Sequence, residues 1–303
     1  MRIWVLGSLN VDLVVTTDRM PDPGETVRGT DFGTYLGGKG GNQAMALARL
    51  GAAPKVLGRV GSDQFGAMYR DGLQAEGADV SLVTSDPDLP TGTALIEVDT
   101  SGNNRIVVVP GANGTVGPDV ASRMAGQLSA GDLLLMQLEI PMDTVRAAAA
   151  AARERGAQVM LDPAPAAELS DDLLKNVSWL TPNEHEAAVI TGVDTQSDDG
   201  LARAAGQLAA KGVEHVVIKA GARGALYLHA GSQTMVPGFS VDVVDTTAAG
   251  DSFNGGLAWA LSRGKTGAEA IRMASAVAAI SVTGRGAQSA MPRPEAVFKL
   301  LRS

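Results

Sequence analysis

The stretch Asp245-Thr-Thr-Ala-Ala-Gly-Asp251, followed by Ser-Phe-Asn-Gly-Gly256, is the most informative part of the sequence. Apolar side chains then recur with the spacing of a helix, at Phe253, Leu257 and Leu261. The first N–H groups of a helix have no partner inside it, and small residues let an anion approach them. Asp251 is placed to accept a proton from an attacking hydroxyl group. The alternative is that Asp251 only caps the helix, and the segment taken alone favours the cap.

Composition restricts the class of protein. The 303 residues are 45% hydrophobic and 4% aromatic, which suits helices packed on a buried sheet. A net charge of −8 leaves no broad basic surface for nucleic acid or an anionic membrane. The absence of cysteine excludes disulfides, thiolate metal sites and a cysteine nucleophile. The apolar run of residues 3–6 is too short for a signal peptide or a membrane span. We therefore expect a soluble cytoplasmic protein.

The order of the predicted elements indicates an α/β fold. Buried strands are predicted at residues 2–6, 55–60, 133–138, 158–162, 179–180 and 215–219. Helices are predicted at residues 40–50, 64–75 and 142–155, near Asp171, and from Asn183 and Phe253. Near-continuous apolar strands that alternate with helices are typical of an αβα, doubly wound, mostly parallel sheet.

A second group of strands does not follow this alternation. Strands are predicted at residues 11–17, 26–36, 93–98 and 104–109, and residues 99–103 have the composition of a hairpin turn. We expect a small separate β-sheet, with strands inserted at about 12–36 and 91–110, in a single domain of residues 1–303. This sheet would form a lid over the carboxyl edge of the main sheet, where ligands of open α/β sheets bind.

Polar residues cluster at three places near that edge. Asn10 and Asp12 follow the first strand, where alternate side chains of an extended segment can bind neighbouring hydroxyl groups. Taken alone, the two residues favour the alternative of a turn residue and a solvated Asp. Gly37-Gly-Lys-Gly-Gly-Asn42 precedes a helix, and its density of glycine favours backbone contact with a small polar ligand over a flexible turn with an Asn cap. Glu139 ends another apolar strand.

Two other segments have both structural and ligand-binding interpretations. Thr181-Pro-Asn183-Glu-His-Glu186 matches a capping box, and its Asn183 and Glu186 could also hold hydrated magnesium beside a phosphate. Lys219-Ala-Gly-Ala-Arg-Gly224 follows a strand and could form a turn beside a nucleotide. A P-loop is excluded, because Trp259 occupies the position of its first glycine. A dinucleotide oxidoreductase is disfavoured, since no Gly-x-Gly-x-x-Gly follows the first strand.

Together these residues resemble the ribokinase branch of the PfkB carbohydrate kinase family over nearly the whole chain. Its two signatures correspond to Gly37-Gly-Lys-Gly-Gly-Asn-Gln-Ala44 and to residues 245–255. Between them, in family order, stand Asn10-Val-Asp12, Pro23-Gly-Glu-Thr26, Pro110-Gly-Ala-Asn113, Met136-Gln-Leu-Glu139 and Thr181-Pro-Asn-Glu184. The resemblance implies an αβα domain with a β-sheet lid that pairs in a homodimer, and ATP-dependent phosphorylation of a sugar hydroxymethyl group.

The resemblance also assigns roles to particular residues. It implies that Asp251 is the catalytic base for the 5-hydroxyl of ribose and that the amides of Ala248, Ala249 and Gly250 form an anion hole. The implied sugar clamp comprises Asn10, Asp12, Gly38, Lys39, Gly40, Gly41, Asn42 and Glu139. The implied Mg²⁺ and phosphate residues are Asn183 and Glu186, and the nucleotide turn comprises Lys219, Ala220, Gly221, Ala222, Arg223 and Gly224. The implied K⁺ site comprises Asp245, Thr247, Ser281, Gly284 and Gly286.

Three residues depart from the pattern that the resemblance implies. Lys219 stands where ribokinases usually have threonine, which bears on nucleotide preference. Gly41 replaces a common alanine, a change expected to be harmless, and Ala290 replaces a frequent serine near the monovalent ion. The substrate alternatives are deoxyribose, another pentose, fructose or a nucleoside, although few aromatic residues are available to bind a base. A non-catalytic sugar-binding protein is the alternative from another class.

Overall fold

The computed structural model describes residues 1–302. Its strands are β1 (Ile3–Leu6), β2 (Asn10–Thr17), β3 (Gly29–Gly37), β4 (Lys55–Gly61), β5 (Asp79–Asp86), β6 (Gly92–Asp99), β7 (Asn104–Val109), β8 (Leu133–Met136), β9 (Gln158–Leu161), β10 (Trp179–Leu180), β11 (His215–Lys219), β12 (Ala225–His229) and β13 (Ser232–Val236). Its α-helices are α1 (Lys39–Arg49), α2 (Gln64–Ala75), α3 (Pro118–Ala125), α4 (Met142–Glu154), α5 (Asp171–Leu174), α6 (Glu184–Thr191), α7 (Asp198–Ala210), α8 (Ala249–Ser262), α9 (Gly267–Ser281) and α10 (Pro294–Arg302).

The large sheet confirms the predicted α/β architecture. Its strand order is β13-β12-β11-β10-β9-β8-β1-β4-β5. Neighbours from β5 to β11 are parallel, whereas β12 and β13 extend one edge in antiparallel fashion. That antiparallel extension, β5, and the helices α3, α7, α9 and α10 were not predicted from the sequence.

Apolar side chains on both faces of the sheet explain the helical layers. Along β1, Ile3 and Val5 enter a core shared with α1, α2, α8, α9 and α10. Trp4 and Leu6 alternate with them and enter a second core, against α3 to α7. A sheet buried on both faces is the expected consequence of near-continuous apolar strands. None of the helices within residues 1–302 has the length and apolar character needed to span a bilayer.

The predicted lid is a separate sheet with the order β3-β2-β6-β7. β2 begins at Asn10, shortly after β1 ends at Leu6, so the chain passes from the carboxyl edge of the large sheet into the lid. β3 returns to the same edge at Gly37, where α1 begins two residues later. The lid therefore joins the main sheet where Asn10, Asp12 and the glycine-rich segment lie.

Helices α1 and α8 pack closely against each other beside this junction. A Cβ atom at Gly255 of α8 would lie 2.6 Å from the Ala46 Cβ and 3.2 Å from the Gln43 carbonyl oxygen of α1. Because real Cβ atoms do not approach one another so closely, the separation of the two helices requires glycine at this position.

We expect Gly255→Ala to lower the free energy of unfolding by about 1–3 kcal/mol, since the added methyl group forces the helices apart. Gly206→Ala is the matched control, because Gly206 is also helical but its Cβ position is open. The control should raise stability by up to about 1 kcal/mol through helix propensity. Urea denaturation of both variants measures the difference, and equal effects would contradict this account of the helix contact.

Candidate active site

Helix α8 begins with Ala249, and its cap residue is Ala248, in the left-handed conformation with φ 58° and without a side-chain cap. The Ala249 amide donates to the Thr246 carbonyl oxygen at 3.2 Å, and no side chain caps the other first-turn amides. Asp251 is the third helical residue, so the interpretation of Asp251 as the N-cap is wrong. Its carboxylate instead accepts hydrogen bonds from Asn42 Nδ2 and Gln43 Nε2 of α1, both at 3.0 Å.

The Asp251 carboxyl group is buried, with 5% of the residue exposed. Burial raises its pKa to about 6, and the charge of Asp162 adds to this effect. Lys39 and the amide donors of Asn42 and Gln43 oppose the shift because they favour the ionised form. The result is a carboxylate that is mostly ionised at neutral pH yet can hold a proton.

Asn10, Asp12 and Glu139 lie at the junction of the lid and the main sheet, a polar region that we call the polar recess. Asn10 accepts a hydrogen bond from Asn113 Nδ2 at 2.7 Å. Glu139 Oε2 accepts from the Ser8 hydroxyl and, at 3.0 Å, from the Lys39 amide. Burial raises the pKa of Asp12 to about 7, and repulsion from Glu139 contributes.

The glycine-rich segment forms the start of α1 behind this recess. Gly38 caps the helix with φ 79°, so Asn42 is not the cap. A Cβ at Gly40 would lie 2.6 Å from the Gly7 carbonyl carbon, and one at Gly38 would lie 2.7 Å from the Asn10 amide nitrogen. These glycines allow α1 to start directly against β1 and β2. Gly41 leaves room for the side chain of Tyr69, because a Cβ atom at position 41 would lie 1.6 Å from the Tyr69 hydroxyl oxygen.

A cleft of about 950 Å³ extends from Asp251 along the carboxyl edge of the sheet. Lys39 lines it and has no hydrogen-bond or ion-pair partner for its ammonium within residues 1–302. Burial alone would lower the pKa of Lys39, but the charges of Asp251, Asp162, Glu139 and Glu186 together raise it. The cleft also has an apolar side, lined by Phe239, Val241, Val243, Phe253, Ala278, Ala279 and Val282.

Asn183 and Glu186 line the cleft and form the predicted capping box. Asn183 Oδ1 accepts from the Glu186 amide at 2.8 Å, and Glu186 Oε2 accepts from the Asn183 amide at 2.7 Å. Burial raises the pKa of Glu186, and the neighbouring Lys219 opposes this. The structural interpretation of the segment is confirmed, and it leaves the second carboxylate oxygen of Glu186 available to a ligand in the cleft.

The Lys219–Gly224 turn lies across the cleft from α8. Lys219, Gly221, Ala222 and Gly224 line the cleft, whereas Ala220 is buried in the core. Arg223 points to acidic partners, pairing with Glu184 and, at 2.8 Å, with Asp198. The structure therefore brings most, but not all, of the predicted turn to the cleft.

The residues before α8 meet the segment after α9. Asp245 Oδ1 accepts from the Thr247 amide and hydroxyl, and Asp245 Oδ2 accepts from the Gly286 amide at 2.9 Å. These hydrogen bonds outweigh burial and lower the pKa of Asp245. The Ser281 hydroxyl instead donates to the Ala278 carbonyl oxygen, and Gly284 packs beside Ala290. Residues 1–302 contain no cluster of three or more His, Cys, Asp or Glu suited to a metal ion.

Sequence reasoning missed several polar residues of the site. Gln43 joins Asp251 to Asp162, and Gln288 donates to Asn42 Oδ1 at 3.1 Å. Asp162 follows β9 at the carboxyl edge, so the rule that selected Glu139 would also have selected Asp162. The sequence contains no comparable signal for Gln288, which is far from Asn42 along the chain.

Comparison with known proteins identifies the family of this chain. The model of the pfkB family carbohydrate kinases matches residues 2–294. The chain belongs to the PfkB family. It is 42% identical to the ribokinase of Haemophilus influenzae over 299 residues, covering 99% of this chain and 98% of that protein. It is 40% identical to the ribokinase of Bacillus subtilis, covering 99% of each. The structure of Arabidopsis thaliana ribokinase complexed with ribose and ATP superposes with a TM-score of 0.91 at 31% identity, covering 100% of this chain and 99% of that one.

The raised pKa of Asp12 predicts a pH-dependent stability. Because its pKa in the folded protein is about 7, above the ordinary value, ionisation of Asp12 disfavours the fold, and stability is lost as the pH rises towards 7. Asp12→Asn should therefore raise the melting temperature at pH 8 by about 2 °C, with little effect near pH 4. Asp31→Asn, at an exposed position of the lid strand β3, is the control. A gain that is the same at both pH values would contradict the assignment.

Proposed function

We propose that this chain is an ATP-dependent kinase that phosphorylates the 5-hydroxyl group of D-ribose. The position of Asp251 carries the proposal: its buried carboxylate lies in the first turn of α8, faces the polar side chains of α1, and lines a cleft large enough for a nucleotide. The full-length similarity to two bacterial ribokinases supports ribose as the sugar, and the relative bound to ribose and ATP supports both substrates.

The sugar is proposed to occupy the polar recess. Asn10, Asp12 and Glu139, with Lys39 and Asn42 of the glycine-rich segment, would hold its hydroxyl groups and orient the 5-hydroxyl towards Asp251. The remaining backbone of that segment, Gly38, Gly40 and Gly41, would allow close approach of the ligand. These groups suit a small polyol, because the recess is built from carboxylate, amide and backbone groups.

Asp251 acts in this proposal as the general base. Its carboxylate accepts the proton of the 5-hydroxyl as that oxygen forms a bond to the γ-phosphorus of ATP. The bond from the γ-phosphorus to the β-phosphate oxygen breaks, and ADP leaves with the electron pair. The first-turn amides of α8, at Ala249 and Gly250 beside the cap residue Ala248, stabilise the negative charge on the transferred phosphoryl group.

The nucleotide is proposed to lie between α8 and the Lys219–Gly224 turn, with its apolar part against the apolar side of the cleft. Asn183 and Glu186 offer oxygen atoms suited to hydrated Mg²⁺, which would neutralise phosphate charge when bound. Asp245, Thr247 and the segment through Ser281, Gly284 and Gly286 are proposed as an activating K⁺ site. The carboxylate and hydroxyl of Asp245 and Thr247 are hard oxygen donors that suit this ion.

Asp251→Asn should lower kcat at least about a hundredfold, because asparagine keeps the size of the side chain but cannot accept the proton. The KM for ribose should change little. In the parent enzyme, kcat/KM should fall as the pH decreases through about 6, where Asp251 becomes protonated. A coupled assay of ADP release measures both effects, and near-normal turnover by Asp251→Asn would refute the role of this residue.

The substrate is tested by the same assay over ribose, deoxyribose, fructose and nucleosides, with and without K⁺. We expect the highest kcat/KM with ribose, because deoxyribose leaves a polar group of the recess without its hydroxyl partner. A higher value for another acceptor would reassign the substrate within the family. Sugar binding without ATP turnover for any acceptor would favour a non-catalytic sugar-binding protein.

We also propose that two copies pair through their lids. In the lid sheet, Asp12 of β2 lies opposite Ala94 of β6, and Ala94 lies opposite Val108 of β7. These three residues therefore share one face of the lid, the face that looks towards the recess. Both faces expose large apolar side chains, among them Val108 on the Asp12 face and, on the opposite face, Phe32 at 61% and Val107 at 61%. An apolar face of this kind indicates an interaction surface, and a second lid would cover it.

Val107→Asp should therefore convert a dimer into a monomer, as measured by size-exclusion chromatography with light scattering. Ile106→Asp is the matched control, because Ile106 is the neighbouring exposed residue of β7 on the face of Asp12. The control should remain dimeric and raise the KM for ribose. A monomeric parent protein at micromolar concentration would contradict the proposed pairing.

A further inference from the structure

A buried ion pair lines the cleft, and one of its two members, Asp162, has no role in the reaction as assigned so far. Asp162 follows β9 and Lys219 ends β11, and Asp162 Oδ1 accepts from Lys219 Nζ at 2.8 Å. Their side chains are 2% and 14% exposed. Charges so well shielded from water interact strongly, and each depends on the other to offset its lost hydration.

The second oxygen of Asp162 is tied to the candidate base. Gln43 Nε2 donates to Asp162 Oδ2 and to Asp251 Oδ1, both at 3.0 Å. Because a carboxylate only accepts hydrogen bonds, the amide group of Gln43 must face both acids. Its carbonyl oxygen accordingly accepts from Gln137 Nε2, which fixes the orientation of Gln43 from the other side.

The other end of this connection reaches the start of α8. A Cβ atom at Gly250 would lie 3.5 Å from Lys219 Nζ, so the ammonium group stands beside the first-turn amides. Lys219 and Gly250 both line the cleft. A phosphate bound at the first turn of α8 would therefore lie within reach of the Lys219 ammonium group.

We propose that Asp162 is a positioning residue for phosphoryl transfer, which holds Lys219 beside the first turn of α8 and, through Gln43, holds the carboxylate of Asp251. This inference rests on the proposed kinase function and deepens it. Asp162 links Lys219, which would contact the nucleotide phosphate, to Asp251, which would accept the proton. One buried side chain thereby positions both groups.

The opposite charges of the pair should act on the pKa of Asp251 in opposite directions, beside the charge of Lys39, which lowers it. The negative charge of Asp162 contributes to the raised pKa of Asp251. The acid limb of the kcat/KM profile is the range in which kcat/KM falls as the pH decreases. Removing the charge of Asp162 should move this limb to lower pH. Removing Lys219 leaves the negative charge of Asp162 uncompensated, which should move the limb to higher pH. A pair with a purely structural role would change stability without moving the limb.

The experiment compares Asp162→Asn, Lys219→Met and the double variant in the full-length protein. The matched control pair is Asp171 and Lys211, whose charged atoms are 3.0 Å apart on the surface with 77% and 36% of the side chains exposed. The corresponding variants are Asp171→Asn and Lys211→Met. Melting temperature, the KM values for ATP and ribose, kcat, and the pH profile of kcat/KM are measured for each.

Lys219→Met should lower the melting temperature by about 6 °C or more, because Asp162 is left buried without its partner. The double variant should recover to within about 2 °C of the parent, since both charges are removed together. Asp162→Asn should raise the KM for ATP several-fold and lower kcat about tenfold, with a smaller effect on the KM for ribose. The control variants should leave all of these quantities close to those of the parent.

Opposite movements of the acid limb in the two single variants would support the proposal. An unmoved limb together with an unchanged KM for ATP, in an active parent enzyme, would overturn it and leave the pair a structural one. Failure of the proposed function gives a different result, because the parent would then show no turnover with any sugar. The cycle of melting temperatures still measures the coupling of Asp162 and Lys219 in that case.

Discussion

The site depends on the contact between α1 and α8, which holds a carboxylate out of water. Gly255 lets the two helices approach until Asn42 and Gln43 can donate to both oxygens of Asp251. Without these donors, burial would favour the protonated acid, since an unpaired buried charge is costly. The same contact aims the first turn of α8 into the cleft. One helix crossing thus sets the ionisation of Asp251 and the direction of the adjacent amides.

The electrostatics of the site follow from its place at the carboxyl edge. Asp12, Glu139, Asp162, Glu186 and Asp251 converge there with the cations Lys39 and Lys219. Mutual repulsion and burial raise the pKa values of Asp12, Glu186 and Asp251. Lys219 is already paired with Asp162, whereas the ammonium group of Lys39 has no ion-pair partner within residues 1–302. In the proposed kinase, these carboxylates would repel a bare polyanion, and a divalent cation bound with the nucleotide would offset that repulsion.

Much of the architecture was predictable because it is encoded locally. Apolar strands alternating with helices indicate the parallel sheet, and the hairpin at residues 99–103 indicates part of the lid. The strands β12 and β13 form a local hairpin, in which Ala230 and Gly231 make a two-residue turn with φ of 48° and 76°. They were missed because Ala-Gly is not one of the dipeptides typical of such a turn. Asp251 was found through its motif, but its hydrogen bonds to α1 were not, since they span more than 200 residues of sequence. The spacing of a motif identifies where a functional helix begins. The hydrogen-bond partners of that helix depend on how it packs against other helices, which the motif does not show.

The root of the lid is fixed to the main body by contacts that glycine makes possible. Tyr69 of α2 donates to the carbonyl oxygen of Gly37, and Gly41 leaves the space that the Tyr69 hydroxyl occupies. A Cβ at Gly37 would also lie 2.2 Å from Asp12 Oδ2, so Asp12 packs directly over this residue. Farther out, all of β7 is exposed. The end of the lid that carries Asp12 is therefore fixed to the main body, while the outer strand β7 remains exposed.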